Sequence, residues 1–119
     1  MFTGIVQGVA TIEQSEQRGD VLTITANLHD GLADGLAEGA SVALDGVCLT
    51  ATTVHDEHVT FDLIEETLAC TTLADCAPGS RLNVERAMKF GDEIGGHLVA
   101  GHVSSTATIE RINEGENGK

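Results

Sequence analysis

Leu22, Ile24 and Ala26 alternate with Val21, Thr23 and Thr25, and further on Val59, Phe61 and Leu63 alternate with Thr60, Asp62 and Ile64. A period of two puts each set on its own face of an extended strand, so the pattern predicts β-structure. Asp45-Gly46 separates two such segments, at 41–44 and 47–54, and an Asp-Gly pair readily takes the positive φ angles of a tight hairpin turn. Asp56-Glu57 is expected to make the next turn. Residues 41–64 thus read as a meander, preceded by strands at about 4–14 and 20–26 and followed by others near 81–87 and 97–111, six or so in all.

Helix is confined to short pieces. Asp30 is expected to cap a turn or two through Leu36, and Glu65-Glu66-Thr67-Leu68 to form another before Thr71. With Gly39, Pro78 and Gly79 punctuating loops, the expected fold is all-β: a closed, six-stranded antiparallel barrel with short connecting helices at its openings. Closure removes exposed strand edges. Residues 113–119 are polar and without apolar periodicity, so they read as a linker or frayed tail after a barrel domain of 1–112. A linker with nothing beyond it suggests a truncated chain.

A length of 119 residues suits one domain, and 41% hydrophobic with 21% charged residues is the balance of a folded protein. No apolar run approaches the roughly 20 residues of a membrane span. Met1-Phe2-Thr3-Gly4 lacks the basic start and apolar stretch of a secretion signal, so a cytoplasmic location is expected. Cys48, Cys70 and Cys76 show neither zinc spacing nor a disulfide framework and read as free thiols in a reducing compartment. The net charge of −13 repels nucleic acid and anionic membranes, which argues against both as partners. It names no ligand, because a solvated acidic surface explains it equally well.

The densest candidate chemistry is the run Asp92-Glu93-Ile94-Gly95-Gly96-His97-Leu98-Val99-Ala100-Gly101-His102. His97 and His102 do not share a helix face and would point to opposite sides of a strand, and zinc would need a third ligand. His55 and His58 flank the expected Asp56-Glu57 turn and read as solvated, so no metal site is expected. Cys48 and Thr50 share one strand face directly after the Asp45-Gly46 turn, where a thiol and a hydroxyl can meet one ligand. Taken singly, each is ordinary strand filler. Ser41, at the far end of that hairpin, is a weaker candidate for activating a nucleophile. The segment from Asp62 to Thr67 ends a strand and starts a helical turn, which leaves backbone amides and carbonyls free for a polar ligand edge.

Four stretches, Met1-Phe2-Thr3-Gly4-Ile5-Val6, Asp45-Gly46-Val47-Cys48-Leu49-Thr50, Phe61-Asp62-Leu63-Ile64-Glu65-Glu66-Thr67-Leu68 and residues 92–102, together closely resemble the N-terminal half of riboflavin synthase. The resemblance implies a Greek-key barrel, the first of two in tandem. It also implies transfer of a four-carbon unit between two molecules of 6,7-dimethyl-8-ribityllumazine to give riboflavin, with no cofactor or metal. The active site would form where the first barrel of one subunit of a homotrimer meets the second barrel of another.

By the same resemblance Gly4, Ile5 and Val6 reach a neighbouring barrel's ligand, and Cys48, Leu49 and Thr50 contact the ligand of their own. Asp62, Leu63, Ile64, Glu65, Glu66 and Thr67 serve the ring and ribityl chain, with Gly101, His102 and Val103 also at the ligand. Glu66 and Thr67 either bond ribityl hydroxyls or simply complement a helix dipole. Cys48 and His102 would be catalytic, His102 moving a proton at the acidic methyl of the lumazine, with Ser41 and His97 in support.

A lone barrel would bind lumazine or riboflavin, pair as a homodimer and be inactive or weakly active. The other reading is an antenna, since lumazine proteins of bioluminescent bacteria share the fold without turning the ligand over. Cys48, His97 and His102 favour the synthase. The chain contains no Trp or Tyr, so it lacks the usual aromatic donors that quench a bound flavin. Riboflavin held by this protein should therefore stay fluorescent; titration into excess protein with loss of most of the emission would refute this.

Overall fold

The computed structural model describes residues 1–115, so residues 116–119 of the expected tail lie outside the described residues. Six strands close into a barrel: β1 (Gly8–Arg18), β2 (Val21–Leu28), β3 (Ser41–Leu44), β4 (Val47–His55), β5 (His58–Leu63) and β6 (Arg81–Arg86). The order around the barrel is β1-β2-β5-β4-β3-β6, with every pair antiparallel.

The alternation seen in the sequence is the inside and outside of this barrel. Leu22, Ile24, Ala26 and Leu28 of β2 and Val59, Phe61 and Leu63 of β5 are buried, while the residues between them are exposed or half-buried. Register carries the pattern across strands, with Ile24 opposite Phe61 and Ala26 opposite Val59. Val42, Leu44, Leu49, Ala51, Leu82 and Val84 complete the filling from the other strands. The interior is therefore packed with side chains and offers no lumen to a ligand.

Three tight turns fix the hairpins. Asp45 and Gly46 have φ of 49° and 78° between the paired residues Leu44 and Val47, the mirror-image turn that matches strand twist. Asp56, at φ 55°, opens the turn between His55 and His58 as the sequence implies. Gly19-Asp20 makes the third, between Arg18 and Val21.

Three expected elements take another form. The first strand begins at Gly8 instead of residue 4, because residues 1–7 leave the barrel wall. The segment after Asp30 is a chain of turns rather than a helix, with Leu32, Asp34 and Leu36 amides donating to the carbonyls of His29, Gly31 and Ala33. Asp30 itself has φ 58°, which is not the extended conformation of a helix N-cap. Residues 97–111 form no strand; a single antiparallel bridge, Phe2 with Val99, is all the pairing they show there. The expected helix after Ile64 does form as α1 (Glu65–Cys70), followed by a 3₁₀ turn at Thr72–Asp75 whose Leu73 is fully buried in the core.

The N-terminal segment is tied down at several points. Phe2 is 1% exposed, its amide donates to the Val99 carbonyl at 2.8 Å, and the Val99 amide donates back at 2.9 Å. The Glu85 carboxylate on β6 accepts from the Thr3 amide at 2.7 Å, the Thr3 hydroxyl at 3.0 Å and the Gly4 amide at 3.0 Å. Glu85→Gln keeps the shape but turns an NH₂ toward one of these donors. The expected cost is about 1–3 kcal/mol in urea denaturation, with faster amide exchange at Gly4 and Val99.

Candidate functional site

β4, α1 and the segment after residue 100 enclose a groove of about 420 Å³ on the outside of the barrel. Val47 and Cys48 come from β4, Ile64, Glu66, Thr67 and Thr71 from α1 and its two ends, and Gly101, His102 and Val103 from the C-terminal segment.

Each wall has a local cause. Cys48 sits on the outward face of β4 because Val47 and Leu49 on either side turn into the core. The Cys48 amide donates to the Gly101 carbonyl at 2.9 Å, which lays the C-terminal segment along the strand. Only glycine allows this approach: a Cβ on residue 101 would lie 2.8 Å from the Cys48 Cβ, and φ is +82°. On the other wall Ile64 precedes α1 and provides no side-chain cap, so the first-turn amides remain open to solvent or ligand. Thr71 fastens the far end of α1: its hydroxyl donates to the Thr67 carbonyl at 2.7 Å and accepts from the Leu73 amide at 3.2 Å.

Ile64 and Val103 make the groove partly apolar, while Thr67, Glu66 and His102 supply hydrogen-bonding groups. No Lys or Arg is among its lining residues. Such a lining suits a flat, uncharged ring carrying hydroxyl groups and offers no cationic side chain to a phosphate. The other two thiols stand apart: Cys70 is in the last turn of α1, and burial pushes the Cys76 thiol up. No group of three or more His, Cys, Asp or Glu among the described residues is placed to hold a metal ion.

The groove thus unites Cys48, Ile64, Glu66, Thr67, Gly101, His102 and Val103 of the sequence-derived candidates. The others lie elsewhere. Leu49 and Leu63 point into the core, leaving only their backbone to a ligand. Thr50 is exposed on the Cys48 face, paired with half-buried Ser41 across β3 and β4. Asp62 accepts from the Thr23 hydroxyl at 2.7 Å, and Glu65 is exposed at the start of α1. His97 is exposed, and its amide donates to the Thr3 carbonyl at 3.4 Å, outside the groove. Ile5 lines a separate cleft with Glu85, Arg86 and Gly95. Sequence reasoning missed Val47 and Thr71; the hydroxyl of Thr71 just after the helical turn is the signal that marks it as a cap.

A packed antiparallel barrel with an outer groove of this lining belongs to the class of small-molecule-binding β-barrels. The model of the lumazine binding domain matches residues 3–87, and the chain belongs to that family. It is 49% identical over 119 residues to riboflavin synthase of Escherichia coli (strain K12), covering 100% of this chain and 56% of that one. Riboflavin synthase of Bacillus subtilis (strain 168) is 41% identical over 117 residues, covering 98% of this chain and 54% of that one. The chain therefore spans little more than half the length of these relatives. Among solved structures, LumP complexed with 6,7-dimethyl-8-(1'-D-ribityl) lumazine superposes with a TM-score of 0.84 at 26% identity, covering 98% of this chain and 64% of that one. LumP complexed with riboflavin gives the same score, with 62% of that chain covered.

Thr71→Ala removes both hydroxyl bonds at the end of α1 while leaving the barrel strands alone. It should lower stability by about 1 kcal/mol and speed exchange of the Leu73 amide, measurable by thermal denaturation and hydrogen exchange.

Proposed function

We propose that the groove binds 6,7-dimethyl-8-ribityllumazine and riboflavin, and that the chain is the lumazine-binding half of a riboflavin synthase. The complete enzyme would transfer a four-carbon unit from one lumazine to another. The observation that carries this reading is the meeting of Cys48, the first turn of α1 and residues 101–103 around one groove, in a chain 49% identical to a riboflavin synthase.

In this reading the ring lies between Ile64 and Val103, over the backbone of β4, and the open α1 amides meet its polar edge. Glu66 and Thr67 bond ribityl hydroxyls. His102 holds or moves a proton at the lumazine methyl, with Cys48 beside it, while Ser41 and His97 act from outside the groove wall. Gly4, Ile5 and Val6 serve a neighbouring barrel. Residues 1–112 are the working domain, the protein is cytoplasmic, and the lone barrel pairs as a homodimer that is inactive or weakly active. Two identical barrels give donor and acceptor lumazines the same surroundings, which opposes the asymmetry the transfer requires.

The LumP likeness supports the alternative of a lumazine-binding protein without turnover. Mixing the protein with 6,7-dimethyl-8-ribityllumazine and following the optical spectrum for hours tests binding and turnover together. Saturable binding with product supports a synthase site; binding without product supports a half-site or antenna; no binding overturns the ligand assignment. His102→Ala should weaken lumazine binding about tenfold, the size of one lost hydrogen bond. Riboflavin should bind more tightly than flavin mononucleotide, whose phosphate would find no Lys or Arg in the groove lining.

A further inference from the structure

Phe2, Ala43 and Glu85 are buried, yet none of them belongs to the cluster that fills the barrel. Ala43 and Glu85 share the outer face of the sheet, because Val42, Leu44 and Val84 beside them turn into the core. Arg81 and Asn83, on the same outer face of β6, are exposed, so what hides Glu85 is local. Register places Glu85 opposite Ala43 and Ala43 opposite Cys48, which makes the three one row across β6, β3 and β4. Its two ends lie roughly 10 Å apart at the usual strand spacing. Each end holds a different part of the chain. Glu85 accepts from the Thr3 amide, the Thr3 hydroxyl and the Gly4 amide, whereas the Cys48 amide donates to the Gly101 carbonyl. The bridge between Phe2 and Val99 joins the two held segments, and Gly96 closes on the Thr3 carbonyl, where a Cβ would lie 3.1 Å away. Segments crossing the row in this way account for the burial of Ala43, its middle member, on a face turned away from the core.

We propose that Glu85 and Ala43 are positioning residues for the ligand groove: Glu85 anchors, and Ala43 seats, the crossed segments that carry Gly101, His102 and Val103 to Cys48. Neither residue lines the groove itself. The inference rests on the ligand reading of that groove and assigns its affinity to residues that never touch the ligand. With the anchor intact, residues 101–103 stand in place before the ligand arrives. Without it the ligand has to order them, and part of the binding free energy goes into that ordering.

Titration with 6,7-dimethyl-8-ribityllumazine should show binding to Glu85→Gln weakened about tenfold. Ala43→Val adds bulk beneath the crossing segments while keeping every anchoring donor and acceptor; it should weaken binding by a similar factor, and it replaces Glu85→Gln if that variant does not fold. Ile12→Val, a core truncation on β1 away from the row, should lower stability and leave affinity unchanged. A double-variant cycle reads the route. Combined with His102→Ala, Glu85→Gln should add little, giving about tenfold in all where independent effects would multiply to about a hundredfold. In protein without ligand, Glu85→Gln and Ala43→Val should both speed exchange of the Cys48 amide and alkylation of the Cys48 thiol by N-ethylmaleimide severalfold over Ile12→Val. Rates at Cys48 that match Ile12→Val, or losses that multiply with His102→Ala, would overturn the positioning role. Failure of the unaltered protein to bind lumazine would overturn the ligand reading alone, since the rates at Cys48 are measured without ligand and still decide whether Glu85 and Ala43 hold the groove.

Discussion

Among the described residues the Glu85 carboxylate, 7% exposed on β6, is the one anion the fold buries against the start of the chain. A carboxylate taken out of water is costly unless donors surround it. Here the Thr3 amide, the Thr3 hydroxyl and the Gly4 amide do so, each a charge-assisted bond of roughly 1.5–3 kcal/mol. With Thr3 held, Phe2 is placed to bridge to Val99, and that bridge brings Gly101 onto the Cys48 amide. The third wall of the groove thus hangs on contacts that begin at β6. Residues 97–103 have no strand of their own to hold them.

The closed barrel determines on which side chemistry can occur. Phe61, Leu63, Ile24, Leu44 and Val84 are fully buried, and a packed interior has no room for a ring system. Any ligand site must use outward-facing strand residues together with whatever crosses the outer wall. On β4 the outward residue next to α1 is Cys48, because the two-residue Asp45-Gly46 turn fixes the register from Leu44 opposite Val47. A one-residue slip would send the thiol into the core and Val47 to the surface. The turn therefore decides the chemistry of the groove as well as the course of the hairpin.

Most of the barrel could be read from local pattern. The alternation in β2 and β5, the Asp45-Gly46 and Asp56-Glu57 turns and the helix at Glu65 depend on neighbours a few residues apart, and their physics is local. The same local rules gave a helix after Asp30 and a strand at 97–111, and both fail for tertiary reasons. Asp30 takes a positive φ inside a chain of turns that packs Ala33 and Leu36 onto the core. The 97–111 stretch has strand-like composition but forms one isolated bridge, with Phe2, and single backbone hydrogen bonds to Thr3 and Cys48 instead of a ladder.

By itself the sequence determined the strand faces, the turns and the chemical types around Cys48, Glu66, Thr67 and His102, since these follow from side-chain periodicity and backbone preference. Which of them share a groove was decided by tertiary structure. Glu85 reads in sequence as one more charged residue in the Arg81–Arg86 strand, yet it is buried with its donors at the opposite end of the chain. Ser41, Asp62 and His97 carry suitable groups, yet backbone register and the course of residues 97–101 leave them outside the groove. The reason is distance along the chain. Periodicity reports which face a residue occupies, and only closure of the barrel, with the two chain ends laid across it, sets which faces meet.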